Sequence, residues 1–299
     1  MQHNQRAGLL YAAIGFILLS CGDAVTKTMA GQWAPTAISV ARYVLGAVGL
    51  AAILAAREGR AGFVVPMPKV QLMRGAAAAL ATAGFFTSIF LMPLSEAASI
   101  ILVSPMITAL LAALFLGEPV RCETVLASLF AFAGVLVILR PNFAALGWAA
   151  LLPLFCAAMM SLLMIGNRAV SGRASALAMQ FFLAASAVPI LLLVTLAGEV
   201  SGAENFAVSW PDWTVLARCA VVACSATAAH FFIYLGTTRA GAATVAPMTY
   251  VQLIVALALG WALFGERPDA MALIGAAMIV AAGLFLWRQG RMREPAMTD

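Results

Sequence analysis

The residues of this chain with the clearest chemical potential are two opposite charges, Asp23 and Lys27, inside a long apolar run. They lie four positions apart, so a helix would present both on one face. A charge inside a membrane-spanning helix costs roughly 2.5–3.5 kcal/mol, so such residues are usually paired or functional. Two interpretations stay open. Either the two side chains neutralise each other near a helix end, or Lys27 binds a ligand carboxylate or latches a gate.

A stripe of polar and aromatic side chains marks the apolar segment 219–238. Thr227, His230, Tyr234 and Thr237 follow one another at steps of three or four residues, which puts them on one helix face. We expect this face to point into the protein, because polar groups facing lipid are costly. There it either packs against other helices or lines a cavity. His230 could carry a proton near neutral pH, but a neutral hydrogen-bonding role is the favoured interpretation.

Other apolar segments contribute further side chains of the same kind. Thr82 and Phe86 share one helix face, and Pro247 and Tyr250 share another. Together they predict a cavity with aromatic walls and a few hydroxyl and amide groups, which suits solutes with rings or ammonium groups. The predicted substrate-binding residues are Thr82, Phe86, Ser99, Met160, His230, Tyr234, Tyr250 and Gln252.

Arg42 and Pro247 join Asp23 and Lys27 as candidates for gating. Arg42 lies inside an apolar segment, where it either hydrogen-bonds helix-end carbonyls or binds an anion in a vestibule. Pro247 removes a backbone hydrogen bond from its helix and thereby permits bending, so it is the preferred hinge.

The sequence contains no pattern of residues typical of a metal site, a disulfide framework or a cofactor site. The five cysteines form no C-x-x-C pair, and the two histidines, His3 and His230, lie far apart in the sequence. Metal sites need closely spaced ligands. We therefore predict no metal, no cofactor and no catalytic residue. A membrane enzyme acting on lipids is the least favoured function.

The composition places these residues in a membrane protein. Of the 299 residues, 64% are hydrophobic and 10% charged, and the mean hydropathy is +1.01. Soluble domains carry about 25% charged residues. These values exclude a soluble enzyme and a nucleic-acid-binding domain. The basic residues behind the net charge of +5 lie between apolar blocks, so membrane lipid rather than nucleic acid is the expected partner.

The apolar segments have the length of membrane-spanning helices. About 20 helical residues cross the hydrocarbon core of a bilayer. Seven segments carry no charge, and three more qualify when isolated charges are tolerated. Long apolar runs favour helices over barrel strands, which would show strict alternation. The predicted fold class is an all-α integral membrane protein with ten transmembrane spans, over residues 8–29, 35–56, 75–95, 97–117, 123–139, 141–167, 174–198, 219–238, 240–265 and 270–287.

The basic residues predict the orientation of these spans. With a cytoplasmic N-terminus, twelve Lys and Arg residues fall on the inner side and four on the outer side. Cytoplasmic loops of membrane proteins carry the excess of positive charge. We therefore expect the N- and C-termini to be cytoplasmic.

One motif occurs twice, 148 residues apart. Leu-Phe-Leu-Gly-Glu118-Pro ends the fourth span, and Leu-Phe-Gly-Glu266-Arg-Pro ends the ninth. The period is half the chain, which predicts two repeats of five spans each, 1–142 and 143–299. Since five is odd, the second repeat must be inverted relative to the first. Inverted repeats are the architecture of many secondary transporters, with the substrate site near the midplane.

The two motif endings, completed by Pro119 and Pro268, and the segment Ala-Pro-Met-Thr-Tyr-Val-Gln at 246–252 resemble the EamA family of the drug/metabolite transporter superfamily. The resemblance covers essentially the whole chain. It implies export of amino acids (aromatic and other) and related metabolites or drugs across a bacterial inner membrane. One difference between the two halves concerns a proline. The fourth span contains Pro105, and the corresponding position of the ninth span is Leu253.

The expected function is therefore secondary transport of a small-molecule substrate by alternating access, in a monomer or weak dimer. Gradient-driven uniport is favoured, because Lys27 one turn away should keep Asp23 ionised and unfit to carry a proton. A proton-coupled drug or metabolite antiporter is the alternative, with Glu96 as another proton carrier.

Overall fold

Every regular element in the part of the chain that the structure describes is a helix. A computed structural model of the protein describes residues 2–116, 122–170, 172–240 and 248–293. Three short 3-10 turns connect longer helices at Gly59–Phe63, Gly147–Leu151 and Glu204–Phe206. The α-helices of these ranges are α1 (Gln2–Lys27), α2 (Pro35–Glu58), α3 (Pro68–Leu91), α4 (Leu94–Ile101), α5 (Ser104–Leu116), α6 (Cys122–Leu146), α7 (Leu152–Ala169), α8 (Ala176–Val200), α9 (Trp213–Ala240), α10 (Thr249–Phe264) and α11 (Ala270–Arg293).

Many of these helices have the length and apolarity of membrane spans. The predicted all-α character is confirmed for the described residues. Four shorter apolar segments cover Leu94–Thr108, Val125–Leu139, Thr249–Phe264 and Ala270–Phe285. The helical stretches long and apolar enough to cross a membrane, within the described ranges, are Arg6–Lys27, Pro35–Phe63, Pro68–Leu91, Ala144–Asn167, Ala176–Val200 and Trp213–Ile233.

The predicted fourth span, 97–117, is not one continuous helix. It is divided into α4 and α5, with a turn at Leu102 and Val103. Pro105 has no N–H to donate to the preceding turn. Tight three-residue bonds fill the junction, as in the 3.2 Å bond from the Val103 N–H to the Ile100 carbonyl. The prediction of an unbroken helix here was wrong, and the proline that distinguishes the two halves accounts for the break.

The boundary between the predicted fifth and sixth spans also lies elsewhere. α6 continues to Leu146, so the start of the predicted sixth span belongs to α6. Gly147 ends this helix with a left-handed backbone (φ 57°), a conformation that glycine adopts without strain. α7 then begins at Leu152.

The most extensive packing joins helices of the first half of the chain to helices of the second. α1 packs along α9, α3 along α7, α6 along α11 and α2 along α8. At Gly134 in α6, an added Cβ would lie 2.7 Å from the Gly275 carbonyl oxygen in α11. At Gly275 it would lie 2.6 Å from the Gly134 carbonyl oxygen. Glycine thus lets the two backbones touch, as small residues do between membrane helices.

Three helix ends meet at one end of the bundle and position the site described next. α1 ends at Lys27, and α3 ends just before the short link into α4. α10 ends at Gly265, whose left-handed backbone (φ 66°) turns the chain back on itself. The Glu266 N–H then donates to the Gly260 carbonyl at 3.0 Å, which closes the helix end and fixes where Glu266 projects.

Candidate functional site

An ion pair between Lys27 and Glu266 connects the two halves of the chain. Lys27 belongs to the last turn of α1, and Glu266 follows the end of α10. The side chains are only 13% and 12% exposed. The expectation that Asp23 neutralises Lys27 was wrong for this conformation, because the carboxylate that pairs with Lys27 is that of Glu266.

Backbone groups at the junction between α3 and α4 form hydrogen bonds with both members of this pair. The Lys27 ammonium donates to the Met92 carbonyl at 2.7 Å, and the Leu94 N–H donates to Glu266 Oε2 at 2.8 Å. The ammonium also lies 5.5 Å from the centre of the Phe264 ring. A lysine, a glutamate and two backbone groups therefore hold α1, α10 and the start of α4 together. We call this group, Lys27, Glu266, Met92 and Leu94, the latch.

Asp23 lies one turn before Lys27 and has a different partner. Gln252 in α10 donates from Nε2 to Asp23 Oδ2 at 3.2 Å. The Gln252 carbonyl in turn accepts from the Ser20 hydroxyl at 3.2 Å. The structure thus brings together Asp23 and Gln252, two residues predicted to serve the site, across the contact between α1 and α10.

Arg42 on α2 forms a second group of predicted residues with α3. Its Nη1 donates to Thr82 Oγ1 at 3.4 Å, and the Tyr43 hydroxyl shares a 3.1 Å hydrogen bond with the same oxygen. The guanidinium carbon lies 5.0 Å from the ring centre of Tyr43 and 5.6 Å from that of Phe86. Two aromatic rings and a hydroxyl therefore surround the cation.

α9 packs against both α1 and α2, so Asp23, His230 and Arg42 lie on neighbouring helices. All three side chains are partly exposed rather than fully buried. Residues predicted from three separate apolar segments therefore share one region of the molecule. We call Asp23, Gln252, Arg42, Thr82 and Phe86 the charged cavity group, after the cavity that the sequence predicts.

The other predicted substrate residues have various neighbours. The Ser99 hydroxyl is buried and donates to the Ser95 carbonyl of its own helix at 2.7 Å. Met160 packs against the apolar cluster that contains Tyr43. Tyr250 faces α11, where a Cβ added at Gly283 would collide with its hydroxyl. The side chain of Tyr234, and all of Pro247 and Glu118, lie outside the described residues.

The amino-acid sequence can be compared with those of known proteins. The sequence model of the EamA-like transporter family matches twice, over residues 6–140 and 147–288. The chain belongs to the EamA-like transporter family. The resemblance inferred from the Gly-Glu motifs is thereby confirmed.

Members of this family with curated names resemble the chain over nearly its full length. A riboflavin transporter of Rhizobium johnstonii is 28% identical, over 96% of this chain and 93% of its own. An S-adenosylmethionine uptake transporter of Rickettsia bellii is 21% identical, over 93% and 92%. The pseudopaline exporter CntI of Pseudomonas aeruginosa (strain PAO1) is 25% identical, over 95% and 96%.

The fold is shared with a solved structure. A crystal structure with 17% sequence identity superposes with a TM-score of 0.64 and covers 97% of this chain and 99% of its own. The relatives from Rhizobium, Rickettsia and Pseudomonas are named as transporters or exporters of small molecules. The chain is thus a multi-pass membrane protein of a small-molecule transporter family.

Sequence reasoning missed a buried cation in this family member. Arg74 on α3 was counted among the cytoplasmic loop charges, yet it is 3% exposed. Its Nε donates to Asn167 Oδ1 at 2.7 Å, and Nη1 donates to Gln71. Gln71 donates to the Met179 sulfur at 3.1 Å. The available signal was the run of small residues after Arg74, which indicates that α3 packs closely from its first turns.

Among the described residues, no group of three or more His, Cys, Asp and Glu side chains is arranged to hold a metal ion.

Proposed function

We propose that this protein is a secondary transporter that exports amino acids (aromatic and other) and related small metabolites from the cytoplasm by alternating access. The observation that carries the proposal is the charged cavity group. Arg42, Thr82 and Phe86 bring a cation, a hydroxyl and a ring together where α2 meets α3. Such a surface suits a solute that combines a ring with polar groups.

The architecture in this proposal is ten spans in two inverted five-helix repeats, 1–142 and 143–299. Two matches of one family model, at 6–140 and 147–288, support the division. The packing supports it as well. α1 packs on α9 and α10, while α7, the first helix after the division, packs on α3 and α5. In a twofold repeat, α7 corresponds to α1, α3 corresponds to α9, and α5 belongs to the span that corresponds to α10. The two sets of contacts are therefore equivalent, as such a repeat requires.

The latch closes one end of the transport path in this proposal. It joins α1 to the end of α10 through largely buried charges, so opening that end requires breaking the Lys27–Glu266 pair. Glu118, the counterpart of Glu266 in the first repeat, is proposed to close the opposite end. Two similar closures on opposite faces are what alternating access between inverted halves needs.

The solute gradient remains the proposed energy source, which makes the protein a uniporter. Lys27 pairs with Glu266 and not with Asp23, so it does not hold Asp23 ionised in the way that the sequence suggested. Proton antiport is therefore a second candidate, favoured by the absence of any ion pair to Asp23 among the described residues. A second candidate substrate is riboflavin, favoured by the 28% identity to a riboflavin transporter.

Proteoliposome flux tests the function. Purified protein is reconstituted with radiolabelled phenylalanine, tryptophan, threonine or riboflavin, and efflux is compared with protein-free vesicles. Faster efflux of amino acids that persists without a pH gradient supports amino-acid uniport, whereas efflux that stops without the gradient supports antiport. Riboflavin efflux alone would replace the substrate, and no faster efflux of any solute refutes the proposal.

The proposed orientation has both termini on the cytoplasmic side of a bacterial inner membrane. Single cysteines introduced at Lys69 and Trp210, in a cysteine-free background, report the two sides. Spheroplasts are treated with a membrane-impermeant maleimide. We expect modification at position 210 and protection at position 69, and the reverse pattern would contradict the orientation.

A further inference from the structure

Two arginines occupy equivalent places in the two halves of the chain. Leu-Met-Arg74 of α3 recurs as Leu-Ala-Arg218 of α9, 144 positions later. Gly-Asp23 of α1 recurs at the same distance as Gly-Asn167 of α7. α9 packs along α1, and α3 packs along α7. Each arginine therefore belongs to a helix that packs against the first helix of the other half.

Arg218 holds the chain at the end of α1. Its Nη1 donates to the Thr28 carbonyl at 3.0 Å, and its Nη2 donates to the Gln32 side chain. Thr28 directly follows Lys27, which is the last residue of α1 and a member of the latch. Cations stabilise this end of a helix, where backbone carbonyls have no partner within the helix. Arg218 therefore fixes the segment that carries the latch lysine.

Arg74 holds the end of α7 through a side chain. Its Nε donates at 2.7 Å to Oδ1 of Asn167, which lies in the last turn of α7. The two helices come close because Gly166 has no side chain, since a Cβ there would lie 2.6 Å from Arg74 Cγ. Arg74 is only 3% exposed. Moving the end of α7 away from α3 therefore takes a hydrogen bond from a buried cation.

The acceptors of both arginines are uncharged. Neither Arg74 nor Arg218 forms an ion pair with a carboxylate of the residues that the structure describes. Releasing a bond to an uncharged acceptor costs less than breaking a buried ion pair, because no carboxylate is left buried and unpaired. Such contacts can form and break as the helix ends move, which conformational change between two states requires.

Inverted repeats place equivalent helix ends at opposite faces of the membrane. We infer that Arg74 and Arg218 are equivalent positioning residues, which hold the ends of α7 and α1 at these two faces. Release of the Arg218 contacts lets the end that carries the latch open, and release of the Arg74 contacts lets the opposite end open. The inference rests on the proposed inverted architecture and deepens the proposed alternating access, since it assigns one equivalent residue to each face.

Two buried positions report opening at the two ends. Ser95 lies beside the latch, Val170 follows the end of α7, and their exposures are 3% and 2%. Ser95→Cys or Val170→Cys is introduced into a cysteine-free protein in nanodiscs, and the rate of modification by a maleimide is measured. Arg218→Gln should raise the rate at position 95 and not at position 170, and Arg74→Gln should do the reverse. The rise should be roughly 3–30-fold, the change in an equilibrium when one net hydrogen bond is lost.

Conservative and control variants distinguish these contacts from general stability. Arg74→Lys and Arg218→Lys keep the charge but lose the fork of donors, so each should show part of the effect at its own end. Arg57→Gln, at the exposed end of α2, is the matched control and should change neither rate. If Arg74→Gln does not fold, Arg74→Lys decides the outcome with the same two reporters.

The outcomes separate this inference from the proposed function. A rise at both reporters shows general loosening and overturns the inference, and so does a rise at neither. A rise at the same single reporter in both arginine variants would contradict the inverted arrangement and the inference together. Effects specific to each end, in a protein that shows no flux in proteoliposomes, would uphold the two positioning residues and refute transport. Flux without these specific effects would leave the transport proposal standing.

Discussion

Removing the charge of Glu266 tests whether the latch holds one end of the protein closed. In Glu266→Gln, the amide oxygen can still accept from the Leu94 N–H, but the ionic attraction to Lys27 is lost. Lys27 keeps its 2.7 Å bond to the Met92 carbonyl. The substitution therefore removes one charge interaction while most of the local packing remains.

The partial burial of the pair sets the size of the effect. Exposed ion pairs contribute about 0–1 kcal/mol, and breaking a buried pair costs about 3–5 kcal/mol. With side chains 13% and 12% exposed, the latch pair lies between these limits. We expect the closed conformation to lose about 1–3 kcal/mol, which raises the ratio of open to closed molecules roughly 5–150-fold.

Cysteine accessibility measures this ratio directly. Ser95 is buried in the first turn of α4, next to the latch, and its hydroxyl has no hydrogen-bond partner within the described structure. In a cysteine-free Ser95→Cys protein, the rate of maleimide modification reports opening. Glu266→Gln should raise this rate by the calculated factor. The matched control Glu199→Gln, in the last turn of α8, should leave it unchanged.

A double substitution separates the latch from general loosening. If Lys27 and Glu266 act as a pair, Lys27→Gln should raise the modification rate in the parent protein but add little in Glu266→Gln. A modification rate within twofold of the parent in Glu266→Gln, or additive effects of the two substitutions, would refute the reasoning.

The other predictions concern close contacts elsewhere in the molecule. In Gly260→Ala the new Cβ would lie 2.8 Å from Glu266 Oε2, so the latch should weaken and Ser95→Cys modification should rise. Gly134→Val should separate α6 from α11 at the Gly275 carbonyl and lower the melting temperature in detergent, whereas Gly49→Val at the exposed Gly49 of α2 should not. Thr82→Val removes the hydroxyl that Arg42 contacts and should reduce flux several-fold without changing that melting temperature.

The sequence predicted the helical character of the chain better than it predicted which side chains contact one another. Apolar runs and the spacing of Thr82 and Phe86 report local geometry, because a helix repeats every 3.6 residues. Arg42, Thr82 and Phe86 do meet, as their positions on two neighbouring helices permitted. The break between α4 and α5 was missed, although Pro105 supplied the signal.

Local sequence patterns could not predict which residues pair when they are far apart in the chain. Lys27 and Glu266 are separated by most of the chain, and only the fold brings them together. Asp23, four residues from Lys27, was the natural partner by helix geometry alone. Arg74 shows the same limit, because a charge near a predicted loop reads as exposed until α7 and α8 pack over it.

The two contacts of α1 with the region of α10 connect the charged cavity group to the latch. Asp23 meets Gln252 within α10, and Lys27 meets Glu266 just beyond its end. Both contacts join the same two elements, and Asp23 and Lys27 lie one turn apart on a single rigid helix. A movement of α1 that separates Asp23 from Gln252 would therefore also shift the Lys27 ammonium relative to Glu266, because two residues one turn apart on one helix move together.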